Sequence, residues 1–206
     1  MRVLGLTGSI GMGKSVASRH LRALGVPVQD ADAAVHRLFA PGGAAVEAVE
    51  AAFPGVTTPA GAIDRGRLGQ RVFGNPALLR RLESIVHPLV RRDRDRFLAA
   101  ARRRRLPLVA LDVPLLFESG GWRGCDAVVV MSCPSFLQKQ RVLRRPGMTP
   151  ERLRAILAQQ MPDAEKRRRA DWVVPSGLGR RCTLVRLRAI VKALRAGSAP
   201  CREGRR

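Results

Sequence analysis

The segment from Gly8 to Ser15 has the pattern G-x-x-x-x-G-K-[ST], and it constrains this chain more than any other feature. Its glycines allow the backbone to curl until consecutive N–H groups point inward at an anion. Lys14 adds a positive charge that can reach the β- and γ-phosphates of a nucleotide, and the Ser15 hydroxyl is suited to binding Mg²⁺. We therefore expect a phosphate-binding loop, whose nucleotide-binding residues are Gly8, Gly11, Met12, Gly13, Lys14, Ser15 and Val16.

The sequence on either side of this loop supports the same interpretation. Before the loop, residues 3–6 form a short apolar run that is typical of a strand. After it, Val16, Leu21 and Leu24 recur at helical spacing. A strand, a loop and a helix in this order put phosphates at a helix N-terminus, where the helix dipole favours negative charge. The alternative is a glycine-rich turn that happens to carry a surface lysine.

The net charge of +22 is compatible with two kinds of partner. A strongly basic chain often binds nucleic acid. However, only four of the 38 basic residues are lysine and 34 are arginine, a bias that a GC-rich coding sequence produces without any partner. Aromatic residues make up 4% of the chain and tyrosine is absent, so bases have few side chains on which to stack. We expect the charge to attract polyanionic small molecules such as ATP, and we expect no specific nucleic-acid partner.

Length, hydropathy and cysteine spacing exclude several other classes. A chain of 206 residues is expected to form one domain. It has no apolar run long enough to cross a membrane and no cleavable leader. Its four cysteines lack both C-x-x-C spacing and nearby histidines, which favours buried thiols in a reduced protein. The expectation is a cytoplasmic protein without a membrane partner, and a monomer as its oligomeric state.

Hydrophobic periodicity predicts an α/β fold with a parallel sheet. Strand 2–7, helix 14–24 and strand 26–30 form the first β-loop-α-β unit, in which Gly25 has the position of a helix C-cap. Further strands are expected at 108–112, 126–131 and 172–174, and further helices at 134–145, 150–160, 162–169 and 180–195.

The region from about 34 to 105 is predicted to be mostly helical. Within it, residues 77–86 and 89–105 have helical patterns on either side of His87-Pro88. Because proline is favoured in the first turn of a helix, we expect a break there and two separate helices.

Asp30 and Asp32 follow the second predicted strand. Ligands of open parallel sheets bind beyond the carboxyl ends of the strands, so a carboxylate here can accept the proton of an attacking hydroxyl. The same spacing also fits an Asx cap for a helix that starts near Ala33. On the residues alone the two interpretations stand equal.

Asp112 and Glu118 flank an apolar stretch that leaves the strand at 108–112. Contact of these carboxylates with a metal or a substrate is one interpretation, and a solvated loop acid is an equally good one for Glu118.

Arg141 and Arg145 are four residues apart on a predicted helix and are expected to share one face. Two guanidinium groups aimed together can clamp a phosphate under a closing lid, although a solvated face is the default for so arginine-rich a chain. The chain has neither the N-K-x-D loop of a GTPase nor the G-x-G-x-x-G-x-V loop of a protein kinase. These absences favour a small-molecule kinase.

Several segments occur in a fixed order from Leu4 to about residue 190. They are the phosphate loop, Asp30-Ala31-Asp32, Ile63-Asp64-Arg65, Leu82-Glu83-Ser84-Ile85-Val86-His87-Pro88, Pro114-Leu115-Leu116-Phe117-Glu118, Arg141 with Arg145, Gln160, and Glu165-Lys166. In this order they resemble the dephospho-coenzyme A kinase family, whose members phosphorylate the ribose 3′-hydroxyl of dephospho-coenzyme A with ATP.

The resemblance implies roles for particular residues. Asp32 would be the general base, Arg141 and Arg145 would belong to a mobile lid over the phosphates, and Arg65 and His87 would help to hold dephospho-coenzyme A. Lys14 would act catalytically on the phosphates, and Mg²⁺ would be held by Ser15. Where the family often carries an Asn in its adenine pocket, this chain has Ser176, which leaves backbone groups as candidates for base recognition.

The resemblance also implies a fold and its organisation. It predicts an α/β protein of the P-loop NTPase type: a parallel five-stranded sheet with flanking helices, a helical substrate-binding insertion and a small helical lid. We expect one kinase domain over 1–196, with a core of 1–33, 106–132 and 170–196, an insertion at about 34–105, a lid at about 133–169, and a disordered basic tail over 197–206. Another nucleoside or nucleotide kinase, or a nucleic-acid-associated ATPase, remains the alternative function.

Overall fold

Five strands form one sheet in the order β2-β3-β1-β4-β5, as expected for this α/β class. The structure is a computed structural model that describes residues 1–197, and the tail expected over 197–206 therefore lies, from residue 198 on, outside the described residues. In chain order the elements are β1 (Arg2–Thr7), α1 (Lys14–Ala23), β2 (Val28–Asp30), α2 (Ala31–Leu38), α3 (Val46–Ala52), α4 (Arg65–Val72), α5 (Pro76–Arg103), β3 (Leu108–Asp112), β4 (Ala127–Ser132), α6 (Ser135–Leu143), α7 (Pro150–Ala158), α8 (Asp163–Arg169), β5 (Trp172–Pro175) and α9 (Arg180–Arg195).

The parallel register brings the carboxyl ends of neighbouring strands to one edge of the sheet. β1 pairs in parallel with β3 and β4, and Leu6 lies opposite Asp112 and Val129. β3 and β4 are buried along their whole length, which explains why both are continuous apolar runs in the sequence. The loop after β1 therefore starts beside the end of β3.

Helices α1 and α9 pack together against this sheet. Leu21 of α1 and Leu187 of α9 share a core with Leu4 and Leu6 of β1. α1 ends where the sequence predicts, before Gly25, whose φ of 71° lies in the left-handed region. The last helix has the predicted bounds.

The chain divides into two compact units, one comprising 1–29 together with the chain from residue 101 on, and the other comprising Asp30–Ala100. The second unit has a core of its own, formed by Phe39, Ala45, Val49, Phe53, Val56, Ile63, Leu68 and Val86. The sequence-based domain boundaries stay a prediction. None of the helices over residues 1–197 has both the length and the apolar character needed to span a membrane.

The expected break at His87-Pro88 is wrong, because α5 runs without interruption through Pro88. An apolar stripe passes from Leu82, Ile85 and Val86 on one side of the proline to Leu89 and Val90 on the other, and all five pack against the same core. Proline cannot donate to the carbonyl of Ser84, but both residues are exposed, so water can satisfy that carbonyl. Packing of this stripe against the core therefore outweighs the tendency of proline to interrupt a helix.

A buried ion pair fixes the segment that follows β3. The side chain of Lys166 on α8 is 0% exposed, and its Nζ lies 2.9 Å from Oε1 of Glu118 and 3.3 Å from the carbonyl oxygen of Pro114. Glu118 also accepts a hydrogen bond of 2.8 Å from the N–H of Met161. The Glu118 carboxylate is thus bound by protein groups, although the residue as a whole is exposed. It joins the segment after β3 to the segment between α7 and α8.

We expect Glu118→Gln to destabilise the fold by about 3 kcal/mol, because it removes the carboxylate from a buried ammonium group. Urea unfolding measures this loss. The matched control is Glu151→Gln, which breaks the exposed Glu151–Arg154 pair and should have a much smaller effect on stability. Equal effects of the two substitutions would contradict the structural role of Glu118.

The same pair makes stability depend on pH. Burial raises the pKa of Glu118, but hydrogen bonds from Lys166 and from the Met161 N–H outweigh burial and hold that pKa below its ordinary value of 4.5. A lowered pKa contributes stability above 4.5, and this contribution is lost as the pH falls through the pKa of the folded protein. Stability measured across this range should fall more steeply in wild type than in Glu118→Gln.

Candidate active site

The loop between β1 and α1 has the conformation that its glycines predict. Gly11 and Gly13 have φ values of 78° and 88°, in the left-handed region. A Cβ atom on Gly11 would lie 2.5 Å from Cγ2 of Val142, and one on Gly13 would lie 2.9 Å from Cβ of Ser176. Only glycine therefore satisfies both the backbone angle and the close approach at these two positions.

The backbone N–H groups of this loop form an anion-binding arrangement. Within residues 1–197, no acceptor is recorded for the N–H groups of Gly11, Gly13, Lys14 and Ser15. They lie at the N-terminus of the ten-residue helix α1, where the helix dipole adds positive potential. These groups can therefore donate to phosphate oxygens.

Lys14 is held by a carboxylate at the end of the neighbouring strand. Its Nζ lies 2.6 Å from Oδ1 of Asp112, and the other oxygen of Asp112 accepts a hydrogen bond from the Ser18 hydroxyl. The Asp112 side chain is 2% exposed and that of Lys14 is 15% exposed. The cation is therefore oriented beside the loop before any ligand arrives. The sequence pattern singles out Asp112 but not its pairing with Lys14.

The Met12 side chain of the loop is buried in the protein. Met12 is 2% exposed, and its Sδ lies 3.2 Å from the backbone N and 3.4 Å from the Sγ of Cys133. Burial raises the pKa of the Cys133 thiol, so that thiol stays protonated near neutral pH. Val16 is half-buried on the first turn of α1. The side chain of Met12 therefore anchors the loop in the protein interior.

Arg141 and Arg145 differ in their surroundings. The Arg141 guanidinium donates two hydrogen bonds of 2.9 Å to Ser176, one to its hydroxyl and one to its carbonyl oxygen. Arg145 is exposed in the turn after α6, which ends at Leu143, so the expectation that both arginines share one helix face is wrong. Pro146 explains this end, because it disfavours helical angles at the residue before it.

In the second unit, Asp30 and Asp32 have separate roles. Asp30 is the N-cap of α2, and its Oδ1 accepts a hydrogen bond of 3.0 Å from the N–H of Ala33. The capping interpretation of the sequence is therefore confirmed for Asp30. Asp32 lies exposed in the first turn of α2, one turn before His36. Of the two carboxylates, Asp32 is the one not committed to a cap.

The two predicted substrate-binding residues also lie in this unit. Arg65 is the first residue of α4, and its Nη1 lies 2.6 Å from Nε2 of His36. His87 is exposed on α5, next to Pro88. His36 is a contact that spacing alone does not reveal, because it comes from a different helix. Across the described residues 1–197, no three His, Cys, Asp or Glu side chains are grouped so as to hold a metal ion.

Comparisons with known proteins identify the family. The family model for dephospho-CoA kinase matches residues 2–178. The dephospho-CoA kinase of Paramagnetospirillum magneticum is 62% identical over 97% of this chain and 93% of its own length. That of Rhodospirillum rubrum is 56% identical over 99% of this chain and 97% of its own length.

Solved structures have the same fold. The crystal structure of TT1252 from Thermus thermophilus has a TM-score of 0.78 and 36% identity, covering 93% of this chain and 96% of its own. The dephospho-CoA kinase from Campylobacter jejuni has a TM-score of 0.66 and 21% identity, covering 94% of this chain and 97% of its own, and it supports the fold alone. With its phosphate loop and its paired Lys14, the chain belongs to the dephospho-CoA kinase family.

Proposed function

We propose that this protein transfers the γ-phosphoryl group of ATP to the ribose 3′-hydroxyl of dephospho-coenzyme A, which gives ADP and coenzyme A. The observation that carries the proposal is the phosphate loop with Lys14 oriented on Asp112, in a chain 62% identical to a dephospho-CoA kinase. Because ATP is the donor, the cytoplasm is the compartment in which we expect the protein to act.

The loop amides and Lys14 bind the β- and γ-phosphates. Phosphoryl transfer needs little covalent participation by the protein, so positioning and charge stabilisation supply most of the catalysis. The ammonium group of Lys14 stabilises the negative charge that develops on the leaving ADP. The loop amides also stabilise this charge, and they do so without changing position.

The residues around the loop fit Mg²⁺, which prefers a few protein oxygens together with phosphate oxygens and water. Ser15 has an exposed hydroxyl on the first turn of α1, and the Asp112 carboxylate stands at the end of β3. Ser15 would hold the ion directly. When bound with ATP, Mg²⁺ neutralises charge on the β- and γ-phosphates.

Asp32 is the general base in this mechanism. Its carboxylate takes the proton of the ribose 3′-hydroxyl while that oxygen forms a bond to the γ-phosphorus. The bond between the γ-phosphorus and the bridging oxygen breaks, and ADP leaves with the electron pair. Asp30 is unsuited to this role because it caps α2.

The arginines of the lid region complete the site. Arg141 and Arg145 close over the transferring phosphoryl group and exclude water, which would otherwise hydrolyse ATP. Within residues 1–197 the structure records no acceptor for the exposed Arg145 guanidinium, whereas Arg141 is held by Ser176. Arg65 and His87 bind dephospho-coenzyme A, and His36 orients Arg65.

The test is ADP formation by the purified protein with Mg-ATP, with and without dephospho-coenzyme A, followed by mass analysis of the acceptor. We expect one phosphate, about 80 Da, to be added to the acceptor for each ADP formed. ADP without acceptor phosphorylation, or phosphorylation of nucleosides in preference to dephospho-coenzyme A, would overturn the proposal.

We expect Asp32→Asn to lower kcat by about 10²- to 10⁴-fold and to leave ATP affinity near that of wild type, because it removes only the proton acceptor. The matched control is Asp30→Asn, since asparagine caps a helix as well as aspartate does. Steady-state kinetics and equilibrium ATP binding separate the two effects. Full turnover by Asp32→Asn would remove Asp32 from the mechanism.

We expect Arg145→Ala to lower kcat at least about tenfold and to raise the fraction of ADP formed without acceptor phosphorylation, because the lid then leaves the phosphoryl group partly open to water. Arg144→Ala is the control, since Arg144 is its exposed neighbour and has no assigned role. The ratio of ADP to phosphorylated acceptor measures the effect. Equal ratios in both variants would contradict the role of Arg145.

A further inference from the structure

Two glutamines of the lid region hold one residue of the phosphate loop from both sides. The N–H of Ile10 donates a hydrogen bond of 3.1 Å to Oε1 of Gln160, and Nε2 of Gln138 donates one of 2.8 Å to the carbonyl oxygen of Ile10. Gln138 lies on α6 and Gln160 follows the end of α7. Both backbone groups of Ile10 are therefore bound by side chains distant in sequence.

Ile10 stands immediately before the N–H groups that can bind phosphate. The N–H of Gly11 has no recorded acceptor in the described chain, whereas the N–H of Ile10 is directed to Gln160. Because peptide units are planar, fixing both backbone groups of Ile10 also restricts the orientation of the Gly11 N–H that follows. Ile10 is therefore excluded from phosphate binding and sets the direction of the loop.

Burial indicates that these contacts are built into the fold. Gln138 is 6% exposed, and a buried amide side chain is stable when its polar atoms are hydrogen-bonded. Ile10 itself is only half-buried, so water could satisfy its backbone groups. The glutamines are thus not needed to satisfy the Ile10 peptide, and what they add is a fixed orientation.

Residues next to each glutamine are held by contacts with the rest of the fold. On the α6 side, Val142 is fully buried and approaches Gly11 so closely that only glycine fits there. On the other side, the residue after Gln160 donates its N–H to Glu118, which is paired with the buried Lys166. Both glutamines are therefore anchored to parts of the fold that do not belong to the loop.

We propose that Gln138 and Gln160 are positioning residues, which hold the phosphate loop in its ATP-binding conformation and thereby couple the lid region to the loop. A loop held in this way does not have to be ordered when ATP binds, so its affinity for ATP is higher. The acceptor is bound by other residues, so its affinity is independent of the two glutamines. The inference rests on the proposed function, because it assigns ATP to this loop.

The test compares Gln138→Met and Gln160→Met with two controls, Gln140→Met and Gln159→Met. Methionine has nearly the length of glutamine but cannot replace its hydrogen bonds. Gln140 lies on α6 like Gln138, Gln159 is the neighbour of Gln160, and both are exposed. Titration of each folded variant with Mg-ATP in the absence of acceptor measures the Kd directly, and kinetics give KM for ATP and for dephospho-coenzyme A.

We expect each of the two variants to weaken ATP binding about fivefold, as the loss of one hydrogen bond implies, and the double variant to weaken it further. KM for dephospho-coenzyme A and both controls should stay at wild-type values. Gln160→Met is the decisive variant if Gln138→Met unfolds, because Gln160 is only half-buried.

Two results would overturn the inference. One is ATP affinity equal to that of the controls in folded Gln160→Met. The other is a parallel loss of ATP and acceptor affinity together with a lower unfolding midpoint, which would indicate a general structural role. If wild type binds ATP and the variants lose affinity, but wild type does not phosphorylate dephospho-coenzyme A, then the proposed function fails and the positioning role stands.

Discussion

The ion pair between Lys14 and Asp112 is the contact on which the rest of the site depends. Parallel pairing of β1 with β3 places the end of β3 beside the start of the phosphate loop, with Leu6 opposite Asp112. The carboxylate then serves two residues of α1, since one oxygen binds Lys14 and the other accepts from Ser18. The sheet therefore fixes the position of the helix N-terminus as well as the direction of its cation.

Elsewhere in the first unit, several carboxylates are bound by groups from other elements. Asp126 and Asp171, which precede β4 and β5, accept hydrogen bonds from backbone N–H groups of the neighbouring strands at Val3 and Val128. Glu118 is bound by Lys166 and Met161. In a chain with a net charge of +22, carboxylates are scarce, and each of these three joins separate segments of the chain.

Local patterns predicted most of the fold because they report on backbone conformation and burial. The bounds of α9 and the end of α1 before Gly25 follow from helical spacing and from a glycine near the helix C-terminus. The break at Pro88 was wrong because a rule about one residue does not include the apolar stripe that continues on both sides of it.

The phosphate loop could likewise be predicted from its residues, but the side chains that hold it in place could not. Asp112 is 98 positions from Lys14, and no spacing rule joins them. Gln138 and Gln160 stand beside the exposed Gln140 and Gln159, so residue type alone does not indicate which amide is bound. Asp30 and Asp32 fitted two interpretations equally until the start of α2 at Ala31 assigned the cap to Asp30.

The placement of the four lysines has a consequence for chemical labelling. Lys14 and Lys166 lie inside the fold with their amines bound to carboxylates, whereas Lys139 and Lys192 are exposed. Arginine supplies the remaining positive charge and does not react with amine-directed reagents under the same conditions. Among the lysines, an amine-directed crosslinker or surface will therefore attach at Lys139 on α6 and Lys192 on α9, and it will leave Lys14 and Lys166 intact.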